Sequence, residues 1–223
     1  MAFGIAIFDM DGTLLDTLED MLDSVNVTMD QVGCPHRTLD EVRAFVGNGA
    51  AKLIERCMPD GAADARYPAA LDFYRSYYND HAQIKTAPYP GIPELLKSLK
   101  EEEIRLAVVS NKPDEAVRLL TERYFPGLFS AAIGNRPGCA VKPAPDTVFE
   151  ALRLLGGDAA EAVYIGDSDV DIATARNAGM SCVSVTWGFR SPEFLTGHGA
   201  QILADTPEQL LGYLTAVPGG TTD

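Results

Sequence analysis

The order of segments along the chain predicts an α/β protein, with a doubly wound parallel sheet interrupted once by an all-helical insert. Three observations predict it. The apolar run Ile5-Ala6-Ile7-Phe8 reads as a strand buried on both faces and stops abruptly at acidic residues. Residues 17–86 carry helical spacing and no good strand. From about residue 87 strands and helices alternate, the pattern of parallel strands covered on both faces.

The elements follow in order. Thr17 begins a helix through Leu18, Met21, Leu22, Val25 and Met29, which Gly33 and Pro35 end. Thr38 opens a second helix with Glu41 three residues on, a capping-box pattern. Val46-Gly47-Asn48-Gly49-Ala50 breaks it, and helix resumes through Leu53, Ile54 and Cys57. Pro59 and Gly61 punctuate again, and a long helical segment is expected from Asp64 to Ile84. Beyond it, helices are expected at 91–100, 113–123, 145–155, 170–178 and 207–214. Strands are expected at 104–109, 129–133, 162–165, 181–185 and 201–204. This is a Rossmann-like core of residues 1–16 and 87–216, a helical cap of 17–86, and a mobile tail at 217–223. Hinges are expected near 16–18 and 86–91, so that the cap could close and exclude water. Ligands of such sheets sit beyond the carboxyl ends of the central strands.

Chemistry-bearing residues gather at those ends. Asp9, Met10, Asp11, Gly12 and Thr13 follow the first strand. Strand alternation points two carboxylates two residues apart to one side, where they repel unless a cation stands between them. Gly12 allows a sharp turn, and Thr13 adds a hydroxyl and a backbone donor. A solvated turn is the alternative. A calcium loop from Asp9 fails on spacing: its sixth position is Leu14 and its twelfth Asp20, where glycine and glutamate are needed. Ser110 closes a strand before a helix, where hydroxyl and amides suit phosphate oxygens, or where the serine simply caps the helix. Lys142 stands in Val141-Lys142-Pro143-Ala144-Pro145, with prolines fixing the backbone around it. Gly166-Asp167-Ser168-Asp169-Val170-Asp171 follows another apolar strand, and a calcium loop from Asp167 fails at Ile172 and Ala178. An acidic first turn of a helix is the alternative there.

In this order the four strings resemble the motifs of the haloacid dehalogenase superfamily, in its phosphatase branch. The resemblance implies that Asp9 is a nucleophile forming a phosphoaspartyl intermediate, and that Asp11 is the general acid and base. It implies phosphate binding by Gly12, Thr13, Ser110, Asn111 and Lys142. It implies Mg²⁺ held by Asp9, the backbone carbonyl of Asp11 and Asp167, with Ser168 and Asp171 behind them. Asp171 would act through water or support Lys142, and Asp169 would cap or stay exposed. Dehalogenases proper lack the second aspartate, so Asp11 argues against carbon–halogen chemistry. The cap's Val46–Ala50 string, Ser110-Asn111-Lys112-Pro113 and Val185-Thr186-Trp187-Gly188-Phe189 resemble phosphoglycolate phosphatases. Cap residues Gly47, Asn48 and Gly49 would then approach a substrate carboxylate, assisted by Arg43, Lys52 or Arg56; a plain interhelical turn is the alternative.

Composition narrows the partners. The chain has 223 residues, 46% of them apolar, enough for a sizeable core. Its formal net charge of −14 disfavours nucleic acid and anionic membrane, both polyanions. A small phosphorylated metabolite remains suitable, because a metal and a few cations can reverse the field in one pocket. Cys34, Cys57, Cys139 and Cys182 show no zinc or disulfide spacing, and a cytoplasmic monomer or homodimer is expected. Two other readings stay open: a capped phosphatase or mutase on sugar phosphates, nucleotides or pyrophosphate, and a protein that binds a phosphorylated ligand without turnover.

Overall fold

The computed structural model describes residues 3–216; the tail expected from 217 lies outside them. The chain divides into two compact units, Met1–Leu14 with Pro88–Asp223, and Leu15–Ala87.

The first unit is built on a six-stranded parallel sheet. Its strands are β1 (Ile5–Phe8), β4 (Arg105–Pro113), β5 (Ala131–Asn135), β6 (Ala162–Gly166), β7 (Ser181–Val185) and β8 (Leu203–Ala204), in the order β5-β4-β1-β6-β7-β8. Two two-residue strands, β2 (Leu15–Asp16) and β3 (Ala87–Pro88), stand where the chain passes between units. β1 lies between β4 and β6, with Phe8 level with Val108 and Ile165. Every β1 residue is fully buried, as expected of a strand covered on both faces. Helices α5 (Ile92–Glu101), α6 (Asp114–Tyr124), α7 (Asp146–Leu155), α8 (Asp169–Ala178), α9 (Pro192–Gly197) and α10 (Pro207–Thr215) complete the unit. On one side Ile5, Ile7, Val109 and Ile133 of the sheet join Val148, Leu152 and Leu155 of α7 and Ala175 of α8 in one apolar cluster. The α/β class and the doubly wound sheet are as expected.

Two readings in this unit need correction. β4 does not stop at Val109. It continues to Pro113, which pairs with Asn135 after a register shift, and α6 begins only at Asp114. Ser110 is therefore inside a strand and caps no helix. Helix α9 is an addition; Ser191 caps it by accepting from Phe194 N, ahead of Pro192.

The second unit holds α1 (Leu18–Val32), α2 (Leu39–Phe45), α3 (Gly49–Cys57) and α4 (Tyr67–His81). Val25, Met29, Val42, Ile54, Cys57, Ala70 and Tyr74 fill its interior. Thr38 and Glu41 form the expected capping box. Gly33, at φ +66°, ends α1 in the left-handed conformation that glycine adopts without penalty. Thr17 precedes α1 without capping it: its hydroxyl is buried with no partner, and Asp16 accepts from Leu18 N instead. Asp64 lies outside α4, because its carboxylate folds onto Arg66 N and the Arg66 guanidinium. Among the described residues no helix is long and apolar enough to cross a membrane.

Candidate active site

Three neighbouring strands deliver the site. Asp9 follows β1, Ser110 lies in β4, Asp167 follows β6, and Lys142 comes from the segment between β5 and α7. Carboxylate oxygens of Asp9, Asp167 and Asp171 lie within 4.8 Å of one another, all three buried. Lys142 stands among them, its Nζ 2.8 Å from Asp9 Oδ1 and 2.8 Å from Asp171 Oδ1. It also donates to the Tyr164 hydroxyl at 3.0 Å.

Each member is held by named partners. Asp9 Oδ1 accepts from its neighbour's amide, Met10 N, at 2.7 Å. Asp171 Oδ2 accepts from Ser168 N and Ser168 Oγ, the capping box that starts α8. Both Asp171 oxygens are thereby engaged, Oδ1 by Lys142 and Tyr164, which fits support of the lysine. Asp167 Oδ1 accepts from Thr13 Oγ1 at 3.2 Å, and its Oδ2 from Phe189 N at 2.7 Å. The carboxamide of Asn111 clamps the Lys142 backbone: Lys142 N donates to Oδ1 at 2.8 Å, and Nδ2 donates to Lys142 O at 3.1 Å. Ser110 Oγ accepts from Lys112 N. Asp169 is half-exposed, with Arg190 Nε at 3.9 Å.

Electrostatics follow from this crowding. Burial pushes Asp9 up to about 7, with Asp171 and Asp11 adding repulsion and Lys142 opposing them. Burial, then Asp171 and Asp9, raises Asp167 well above the ordinary carboxylate range. Burial alone would lower Lys142, but the charges of Asp171 and Asp9 outweigh it and hold the ammonium well above its usual range. Three buried carboxyls crowd one ammonium, and ionising all of them together calls for a further cation. The donors are hard oxygens without thiol or imidazole, the set a divalent cation such as Mg²⁺ takes.

Glycines make the close packing possible. Gly12 has φ +84°, and a Cβ there would lie 2.5 Å from Asp167 Oδ2. A Cβ on Gly188 would lie 2.3 Å from the Gly12 carbonyl oxygen. The segment after β7 thus packs directly on the first turn, and Trp187 Nε1 donates to Thr13 O at 3.0 Å.

Sequence reasoning missed two residues here. Lys112 is 4% exposed and ion-paired with Asp11, its Nζ 2.9 Å from Oδ1. Tyr164 is fully buried in β6, beneath Lys142. Lys112 stands inside the Ser110–Pro113 string, so its neighbours were the available signal. Tyr164 offered none beyond a polar atom inside an apolar strand.

Gly47 and Asn48 lie between α2 and α3 in the other unit and Gly49 begins α3, with Gly47 at φ +114° and Gly49 at +82°. Arg56 holds that turn, donating to Phe45 O and to Asn48 Oδ1. Arg43 pairs with Asp40 and Lys52 with Glu55.

The model of the haloacid dehalogenase-like hydrolases matches residues 6–185, a span that includes Asp9, Ser110, Lys142, Asp167 and Asp171. The chain belongs to the haloacid dehalogenase-like hydrolase family. A phosphoglycolate phosphatase of Caulobacter vibrioides is 35% identical, over 96% of this chain and 94% of its own. The phosphoglycolate phosphatase of Pseudomonas syringae pv. syringae is 31% identical, over 98% of this chain and 80% of its own. A solved structure from Lactobacillus delbrueckii subsp. bulgaricus, provisionally assigned as a phosphoglycolate phosphatase, is 40% identical with a TM-score of 0.94, covering 97% of this chain and 100% of its own. Within the family, this haloacid dehalogenase-like hydrolase is similar to proteins named as phosphatases.

Proposed function

We propose that this hydrolase is a Mg²⁺-dependent phosphomonoesterase that works through a phosphoaspartyl intermediate on Asp9, with 2-phosphoglycolate as its substrate. The observation that supports it most is the buried set of Asp9, Asp167 and Asp171 around the single ammonium of Lys142, at the ends of β1 and β6. The names of the relatives support the substrate.

Asp9, the backbone carbonyl of Asp11 and Asp167 would hold the metal, with Ser168 and Asp171 behind them. When bound, Mg²⁺ supplies Lewis acidity to the phosphoryl oxygens and offsets the repulsion between substrate and carboxylates. The chain's own groups do the rest. Asp9 is held through Oδ1, which accepts from Met10 N and faces Lys142. It attacks phosphorus in line with the ester oxygen, and the bond from phosphorus to that oxygen breaks. Asp11 gives the departing oxygen a proton. It then takes one from the water that attacks the acyl phosphate, and the electron pair of the broken bond returns to Asp9. Lys142, Gly12, Thr13, Ser110 and Asn111 carry the phosphoryl charge, Asn111 also fixing the lysine's backbone. We assign residues 17–86 as the cap and Gly47, Asn48 and Gly49 as its contact with the substrate carboxylate. The start of α3 at Gly49 favours an anion there.

Phosphate release from 2-phosphoglycolate with Mg²⁺, against an EDTA control and a panel of other esters, tests the reading. Metal-dependent preference for phosphoglycolate is the expected result. Activity confined to other esters overturns the substrate; no turnover on any ester overturns the reaction. Asp9→Asn removes turnover while ligand binding persists.

A further inference from the structure

Lys112 has no part in the reaction just described, yet its surroundings are those of a working residue. It sits in the extension of β4 that carries the strand past Ser110 to Pro113. A lysine at a strand end is ordinarily solvated; this one is 4% exposed. Burying an ammonium is unfavourable unless it is paired. Its Nζ lies 2.9 Å from Asp11 Oδ1 and donates to Asp11 Oδ2 at 3.2 Å. Oδ1 accepts no well-directed hydrogen bond, so the contact on that side is Coulombic and the directed bond is the one to Oδ2. Two contacts from one ammonium fix how the carboxylate is turned. Met10, fully buried on one side of Asp11, and Gly12, pressed on Asp167 on the other, fix the backbone that carries it.

We propose that Lys112 is a positioning residue that orients the Asp11 carboxyl for the second half of the reaction. The inference rests on the proposed phosphoaspartyl mechanism. An ammonium that reaches both oxygens fixes the direction in which the carboxyl faces. That orientation is needed when Asp11 receives a proton from water, as the water oxygen bonds to phosphorus and the bond between phosphorus and Asp9 breaks. In the first half Asp11 instead delivers a proton, which a good leaving group hardly needs, so its orientation matters less there. Removing Lys112 therefore slows breakdown of the intermediate more than its formation. A lysine that served only the fold would slow neither step selectively.

The test is pre-steady-state release of p-nitrophenol from p-nitrophenyl phosphate with Mg²⁺, a leaving group that needs little protonation. Lys112→Met is expected to show a burst approaching one p-nitrophenol per enzyme. Its later turnover should be about 10- to 100-fold slower than wild type, the range a displaced catalytic group produces. Acid quench should trap the phosphorylated protein, and Lys112→Arg should restore most of the turnover without a burst. If Lys112→Met does not fold, Lys112→Gln carries the same test. Unchanged turnover overturns the proposal, and so does slowing without a burst or trapped intermediate. A wild type inactive on every ester overturns the underlying mechanism instead, which separates the two failures.

Discussion

Lys142 in the sheet unit and Lys52 in the helical unit carry the same charge in unlike surroundings. Lys142 is 3% exposed, and its ammonium reaches Asp9, Asp171 and the Tyr164 hydroxyl. Lys52 lies along α3 against Glu55, three residues on, with nearly half its side chain in water. The contrast holds more widely. The helical unit pairs Arg43 with Asp40 and Lys85 with Asp23 on its surface, while the sheet unit concentrates buried charge at the ends of β1 and β6. Surface pairs contribute little because water already solvates both partners. A buried pair is different, since losing one partner strands the other in a low dielectric. The charges gathered around Lys142 are therefore coupled to one another, and the surface pairs of the helical unit are close to independent.

The sharpest test is a matched pair of substitutions. Lys142→Met should destabilise the protein by about 3–5 kcal/mol, and Lys52→Met by less than about 0.5 kcal/mol, read as urea midpoints. Equal effects would erase the distinction. Asp20 probes it from the other side, as a buried carboxylate of the helical unit. It is 2% exposed and accepts from Lys85 N, Thr86 N and Thr86 Oγ1. Asp20→Ala strands those donors and should cost about 2 kcal/mol. A cost near zero would mean that water takes its place.

Tyr164→Phe should have a smaller effect, about 1 kcal/mol, since Lys142 keeps both carboxylates. A loss as large as that of Lys142→Met would make the phenol, rather than the carboxylates, the centre of the network. The smallest effect is expected at Asp64. The Arg66 guanidinium and the Arg66 amide hold its carboxyl down, from an ordinary 3.8 to about 2. A depressed carboxyl stabilises the fold above the unfolded value and loses that contribution as pH falls from about 4 towards 2. Asp64→Asn should flatten this part of the stability curve. An unaltered curve would show the pair with Arg66 to be idle.

What could be read from the sequence follows the same division. Asp9, Asp11, Asp167 and Asp171 were legible because acids abruptly end apolar runs, and burying acids needs a reason. Thr38 and Glu41 were legible because a capping box is local. Lys112 was not, since its partner Asp11 lies 101 residues away and a lysine beside a proline gives no sign of burial. Ser110 was misplaced because the strand's continuation depends on pairing with Asn135, a distant partner. Helix α9 was overlooked although Ser191-Pro192 is a local start signal. Asp64 reads as helical because the helical spacing extends past the point where its carboxylate turns back on Arg66.

The clamp of Asn111 on Lys142 has a consequence of its own. Two hydrogen bonds from a side chain to both the N–H and the C=O of one residue imitate a rung of β-sheet. The amide gives β4 a further partner in the segment between β5 and α7. The lysine's location is thus written in residue 111, and its charge is answered by residues 9 and 171. Address and valence are encoded separately: the bonds that place residue 142 act on its backbone, whatever side chain it carries.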